Sequence, residues 1–215
     1  SDFGLGVGKM MHNSIKKGLL KEDISSYAVS LTAAATDARM AGCMLPVMST
    51  AGSGNQGITA TMPVVAVAEK LNISREKLIR AIALSNLITI HIKSFIGRLS
   101  ALCGCGVAAS IGASCGITYI MGGNLESINC AIKNMIANVS GIICDGAKSG
   151  CALKIATAVS GAVQCAILAV NGTETSYRGG IVDKSIDKTI RNLDDIGNEG
   201  MEETDKVILG IMAGK

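Results

Sequence analysis

The sequence predicts an all-α protein, a compact multi-helix domain built on buried Gly/Ala-rich central helices. Three observations carry this. Apolar and small residues recur at helical spacing through most of the chain, and no run alternates as a strand does. Only two Pro interrupt 215 residues, and Pro is the residue that most often ends a helix. The 26 Gly and numerous Ala leave little side-chain bulk between neighbouring helices, so their axes can approach closely.

The elements follow in chain order. Residues 22–40 form one helix, stopped at Gly42. Residues 49–57, STAGSGNQG, make a Gly-rich loop that opens a second apolar helix running to about residue 71, with Pro63 near its middle. Ser74 caps the amphipathic REKLIRAIALSNLITIHIK. A nearly charge-free helix at 105–121 is closed by Gly122-Gly123. Asn124 caps 125–139. The longest apolar helix, 147–170, ends at Asn171-Gly172. Two short acidic helices near 183–193 and 201–212 finish the chain. No fixed-period repeat is found.

The composition narrows function. Hydrophobic residues make up 48% and charged residues 17%, which excludes intrinsic disorder. A net charge of +3, no Trp, two Phe and three Tyr offer neither the basic field nor the stacking platform of a nucleic-acid binder. Residues 1–172 carry 14 Lys/Arg against 8 Asp/Glu, and residues 173–215 carry 6 against 9. The last stretch is therefore expected to be an acidic helical tail packed on an apolar body, all within a single domain, 1–215. The opening SDFGLGVGKM does not read as a signal peptide. The uncharged runs 99–125 and 155–173 are long enough to span a bilayer. Both are diluted by Gly, Ser, Asn, Gln and Cys and lack aromatic belts, so they read as buried helices rather than membrane spans.

Eight cysteines invite three readings: small buried apolar residues, a zinc site or an iron–sulfur cluster. Cys43, Cys115, Cys130 and Cys165 read as buried apolar residues. Cys103-Gly-Cys105 sits in a Gly-rich junction, and Cys144 and Cys151 bracket CDGAKSGC, a polar island in an apolar region. One CxC and one Cys-x6-Cys match zinc spacing poorly. A cluster needs thiolates, but on one unbroken helix Cys144 and Cys151 would stand ~10.5 Å apart along the axis. Cys144 should therefore lie in a turn before the helix, with Asp145-Gly146 as the break. STAGSGNQGITA can offer free N–H groups to an anion such as a carboxylate, and lacks the phosphate-loop pattern. Lys148 and Lys154 flank the same break, with two readings open: burial depresses a Lys toward use as a base, or both side chains reach out to solvent. His91 reads as a core residue, and the acidic pairs Asp194-Asp195 and Glu202-Glu203 as a solvated face.

Five segments in order, TDARMAGCMLPVMSTAGSGNQGITATMPVVAVAEKL, LIRAIALSNL, IGRLSALCG, IKNMIANVSGIICDGAKSGCALK and GMEETDKVILGIM, resemble the serine-dehydratase-like α family. The likeness is to the branch that includes oxygen-sensitive L-cysteine desulfidase, and it runs from about Phe3 to the end. Family members are about twice this length, so the resemblance implies a C-terminal half whose N-terminal half, or a companion chain, completes the substrate site. It implies an all-helical fold and a [4Fe–4S] cluster held by Cys103, Cys144 and Cys151, with Cys105 as a rival for the first position. The activity implied is β-elimination of a small amino acid: L-cysteine to pyruvate, ammonia and sulfide, or L-serine to pyruvate and ammonia. On chemistry and position, Lys148 is the candidate base and Ser149 its alternative. Ser53, Gly54, Asn55, Gln56 and Gly57 would hold the carboxylate. A missing half implies an exposed apolar face on the helices after Gly57. A reducing cytoplasm follows, and a homo-oligomer is compatible with the sequence. Two other classes stay open: a pyridoxal-phosphate lyase, which no strand–helix pattern supports, and a non-catalytic helical subunit without a cluster.

Overall fold

Helix starts obey local capping chemistry. In the computed structural model, which describes residues 3–97 and 100–214, Ser74 accepts from Lys77 N at 3.4 Å and opens α4 (Arg75–Phe95). Asn124 accepts from Ser127 N at 3.0 Å and opens α6 (Leu125–Val139). Asp23 and Ser26 form a reciprocal capping box at the head of α2 (Ile24–Met40), satisfying two otherwise orphaned N–H groups. The remaining elements are α1 (Val7–Lys16), α3 (Gly54–Lys70), α5 (Ser110–Ile120), α7 (Cys151–Val170), α8 (Ile186–Asp195) and α9 (Glu202–Ala213), with π-helical turns at Cys105–Ala109 and Ile196–Gly200. The described residues contain no strand, only two isolated bridges. Arg98 and Leu99, which fall in IGRLSALCG and at the head of the 99–125 run, lie outside the described residues.

The fold departs from expectation in four places. An N-terminal helix, α1, is present where none was expected; Asp37 Oδ2 accepts from its Gly8 N at 3.0 Å. The second half of the 49–57 loop is helix, because Ser53 caps α3 and Gly54–Gly57 become its first turn. The expected 105–121 helix opens with a π-turn, in which Ala109 N donates to Gly104 O five residues back. The helix expected at 147–170 begins at Cys151 rather than 147, the residues just before it being turn.

At the centre lies α5, in which all residues but Tyr119 are buried. It packs against α3, α4, α6 and α7, and one continuous cluster including Ile92, Ile111, Ile117, Met135, Ile136 and Ile155 fills the space between them. The buried hydroxyls that close packing brings inside are all answered: Ser114 Oγ donates to Ala162 O at 2.9 Å, and Ser85 Oγ to Ala60 O at 2.6 Å. Such inter-helix bonds remove the desolvation cost of burying a hydroxyl. Helix α8 lays Ile190 and Leu193 on the core, whereas α9 buries no residue. By length and composition α4 and α7 could cross a membrane; 28% and 50% of their apolar windows are buried within the bundle.

Two residue readings change. His91 is exposed on α4, edge-to-face with Phe95 at 5.2 Å, and is not a core histidine. Cys115, Cys130 and Cys165 are buried, but Cys43 is only half-buried and lines an apolar cavity of about 300 Å³ beside α2 and α3. Total burial pushes the Cys115 thiol up to about 12, so it is an inert apolar filler. Of the helices after Gly57, α3 is mostly buried while α4 exposes Ile79, Leu87 and Ile90; the loop with Met44, Leu45 and Met48 and the α9 residues Val207, Leu209 and Ile211 are exposed as well.

Candidate functional site

Two backbone hydrogen bonds assemble the site from segments about forty residues apart. Cys103 N donates to Ile142 O at 2.9 Å, and Cys144 N donates to Ala101 O at 2.7 Å. They form an antiparallel bridge, Leu102 with Ile143, that clamps the two cysteines side by side before their helices begin. The thiol of Cys103 stands within hydrogen-bonding reach of those of Cys105 and Cys144, and Gly106 N donates to its Sγ at 3.3 Å. Residues 146–151 wrap the fourth thiol: Lys148 N donates to Cys151 Sγ at 3.4 Å, and that Sγ lies 3.7 Å from Gly146 O. Cys144 sits in the turn before α7 and Cys151 at its first position. All four thiols line one cavity of about 330 Å³.

The N-terminal turn of α3 forms the opposite wall. Ser53, Asn55 and Gln56 line the same cavity, and the free N–H groups of this turn and the helix dipole favour an anion there. Arg39, at the end of α2, also lines the cavity, and its Nη1 donates to Asn55 Oδ1 at 3.0 Å. Close approach explains two glycines. A Cβ on Gly54 would stand 2.3 Å from Arg39 Nε, and one on Gly104 would stand 2.9 Å from Gln56 Cδ. Gly57, in contrast, sits under the Met48 carbonyl and lines the neighbouring apolar cavity.

Electrostatics separate the thiols. Cys105 is held below the ordinary thiol range, first by its hydrogen bond with Cys103. Cys144 is pushed far up, first by its hydrogen bond with Cys103 and then by burial. Lys93, only 5% exposed on α4, lines the cavity. Burial pulls its ammonium down, and the nearby Cys105, Cys144 and Cys103 oppose this only in part. Lys154 also lines the cavity. Burial would lower it as well, but its hydrogen bond and charge attraction to Asp145 raise it net. The expected depression of Lys154 is therefore corrected: its carboxylate partner outweighs its burial. Asp145, bonded to both Lys148 and Lys154, falls to about 2.

Of the residues singled out in the sequence, Ser53, Asn55, Gln56, Cys103, Cys144 and Cys151 meet in the cavity, and Cys105 joins them. Gly54 supports it from behind. Lys148 and Ser149 do not line it: both are exposed, with Lys148 paired to Asp145 at the rim. Arg39 and Lys93 were missed. The available signal was a lone charge in an uncharged surrounding, as in ITIHIKSF, since an isolated Lys among apolar helix residues is costly unless it faces a polar site.

The donor set of the cavity is thiol-rich. Among the described residues no three His, Cys, Asp or Glu side chains close on one point as a mononuclear site requires. A cluster asks for one thiolate on each of several irons, and the four thiols lining the cavity are donors of that type.

The chain resembles known proteins along nearly its whole length. Its residues 3–210 match the family model described as serine dehydratase alpha chain. A UPF0597 protein of Oleidesulfovibrio alaskensis is 54% identical over 100% of the chain and 50% of that relative. One from Bacteroides fragilis is 52% identical over the same shares, and one from Clostridioides difficile is 51% identical over 97% of the chain and 49% of the relative. The chain thus spans about half the length of the curated relatives it matches. No solved structure matches it. Matched to that family's model over residues 3–210, the chain belongs to the serine dehydratase alpha chain family.

Proposed function

We propose that the chain is the cluster-binding portion of an iron–sulfur β-eliminating lyase acting on L-cysteine, giving pyruvate, ammonia and sulfide. Dehydration of L-serine to pyruvate and ammonia is the second reading. The observation that carries the proposal is the four-thiol cavity facing a helix N-terminus, in a chain of this family. Cys103, Cys144 and Cys151 would hold a [4Fe–4S] cluster, with Cys105 competing for the place of Cys103. When bound, such a cluster supplies a Lewis-acidic iron that lowers the basicity of the leaving thiolate or hydroxide.

The chain's own residues do the rest. The first turn of α3, Ser53–Gly57, binds the substrate carboxylate. The surrounding apolar helices exclude water from the reacting carbon. In this reading Lys93 takes the proton-accepting role in place of Lys148 or Ser149, supported by its side chain lining the cavity where the other two do not. The enamine released by elimination then tautomerises and hydrolyses unaided. Lys148 and Lys154 keep Asp145, and with it the 144–151 turn, in place.

Reconstituted enzyme is expected to favour L-cysteine over L-serine in kcat/KM by ~10–100-fold, since thiolate is the softer and better leaving group but the two are nearly isosteric. Sulfide and pyruvate release under anaerobic conditions measures this. Faster serine turnover would replace the substrate and leave the cluster assignment untouched. Absence of bound iron and acid-labile sulfide in anaerobically purified protein would favour the non-catalytic subunit instead.

Lys93→Ala is expected to lower kcat by roughly 10²–10⁴-fold, the usual contribution of a positioned base, with KM and cluster content unchanged. Lys148→Ala should cost far less. The reverse ranking would return the base to Lys148. The reading also expects a companion half, matching the length that the relatives carry beyond this chain. That half would seat on the exposed apolar loop around Met44, Leu45 and Met48, so activity assays need it present. Free thiols throughout suit a reducing cytoplasm.

A further inference from the structure

The cavity wall on α3 contains an acceptor that the protein itself leaves unanswered. Gln56 is 5% exposed, and its Oε1 is buried without a hydrogen-bond partner. Leaving such an atom unpaired costs about 1–3 kcal/mol, so native proteins rarely do it without a reason. The amide is not placed by accident: it rests on Gly104, where any Cβ would collide with it. Its side chain lines the cavity, and the terminal torsion of a Gln is soft, so Oε1 can be presented to a ligand seated there. An acceptor with no donor in the protein calls for a donor on the ligand.

A second group beside it calls for the opposite charge. The residues lining the cavity include Arg39, Lys93 and Lys154 and no carboxylate, Lys154 being paired with Asp145 beside it. The guanidinium of Arg39 lies against Gly54 and is anchored through Nη1 to Asn55, next to the N–H groups at the head of α3. A planar fork beside a helix N-terminus is the arrangement that suits a carboxylate.

We infer that this wall reads the two charged ends of a free α-amino acid, Arg39 holding the carboxylate and Gln56 Oε1 accepting from the α-ammonium. The inference rests on the amino-acid lyase reading and adds to it the two side chains that tell the ammonium end of the substrate from its carboxylate end. It makes Gln56 the residue that separates amino acids from hydroxy acids of the same shape.

The test is binding rather than turnover, using ligands without a β leaving group. L-Alanine and L-lactate differ only in ammonium against hydroxyl, and their affinities can be measured by ligand-observed NMR on the protein purified together with its companion half. Wild type is expected to bind L-alanine at least ~10-fold more tightly than L-lactate, the value of one hydrogen bond to a charged group. Gln56→Leu should erase that preference by weakening L-alanine alone. Gln56→Glu should retain it, and Arg39→Gln should weaken both ligands alike. Thermal unfolding of each variant scores folding separately, and the Glu variant decides the matter if the Leu variant is unstable. A preference that survives Gln56→Leu, or a Gln56→Glu variant that loses it while folded, overturns the inference. Equal binding of both ligands by wild type overturns it too, while sulfide or pyruvate release from the same protein would leave the lyase reading standing. Binding of neither ligand, with no turnover, removes both.

Discussion

Cys144→Ser protein, rebuilt anaerobically with iron and sulfide, is expected to hold essentially no cluster and to release neither sulfide nor pyruvate. The effect should be confined to the metal. Cys144 is positioned through its backbone, whose N–H donates to Ala101 O at 2.7 Å, and a serine keeps that bond. Its side chain is half-buried rather than sealed in the core, so the smaller hydroxyl leaves little cavity. The unfolding midpoint should therefore stay near that of wild type while iron and acid-labile sulfide fall together. Cys144 is one of the three proposed thiolate ligands, and a hydroxyl is a far poorer ligand for iron than a thiolate. Cys115→Ser is the matched control, since that thiol is fully buried in α5 and away from the cavity. The pair Cys103→Ser and Cys105→Ser decides which of the two neighbours is the ligand. Cys144→Ser protein that keeps a full complement of iron and sulfide would remove Cys144 from the ligand set.

Gly112→Ala should be the most destabilising single methyl in the bundle's centre. Gly112 lies on α5 where it crosses α4, and a Cβ there would stand 2.3 Å from both Ser85 O and Thr89 Oγ1. Neither atom can step aside cheaply. The carbonyl belongs to the α4 backbone and already accepts from Thr89 Oγ1 at 2.8 Å, while Ser85 Oγ is tied to Ala60 O on α3. The helices must separate, which strips packing from the buried cluster around Ile111 and Ile117. Overpacking of this kind costs about 1–3 kcal/mol and sometimes more, and for a chain of this size each kcal/mol lowers Tm by about 2–4 °C. Gly179→Ala, where an added Cβ meets nothing within 4 Å, should be neutral. Urea unfolding of the two variants side by side checks the claim. Equal midpoints would show that the α4–α5 crossing is more compliant than its distances imply.

Helix existence and type were legible in the amino-acid sequence because they depend on neighbours three or four positions away. The spacing of apolar residues, the caps at Ser74 and Asn124, and the Gly stops at Gly42 and Gly172 are local, and they specify most of the bundle. The cysteines and the polar wall of α3 could also be named, because thiols and a Gly-rich helix start are chemically conspicuous. What the sequence could not decide is which of these meet. The Leu102–Ile143 bridge joins segments that no periodicity links, and only the packing of α5 against α7 brings them side by side. Lys148 and Lys93 illustrate the same limit from opposite sides. Lys148 stands three residues from Cys151 in sequence yet turns outward to Asp145. Lys93 is 51 residues before Cys144 yet lines the same cavity, because α4 delivers it there. Burial and the company of other charges are properties of the tertiary structure, so which lysine lines the cavity depends on the fold and not on distance along the chain.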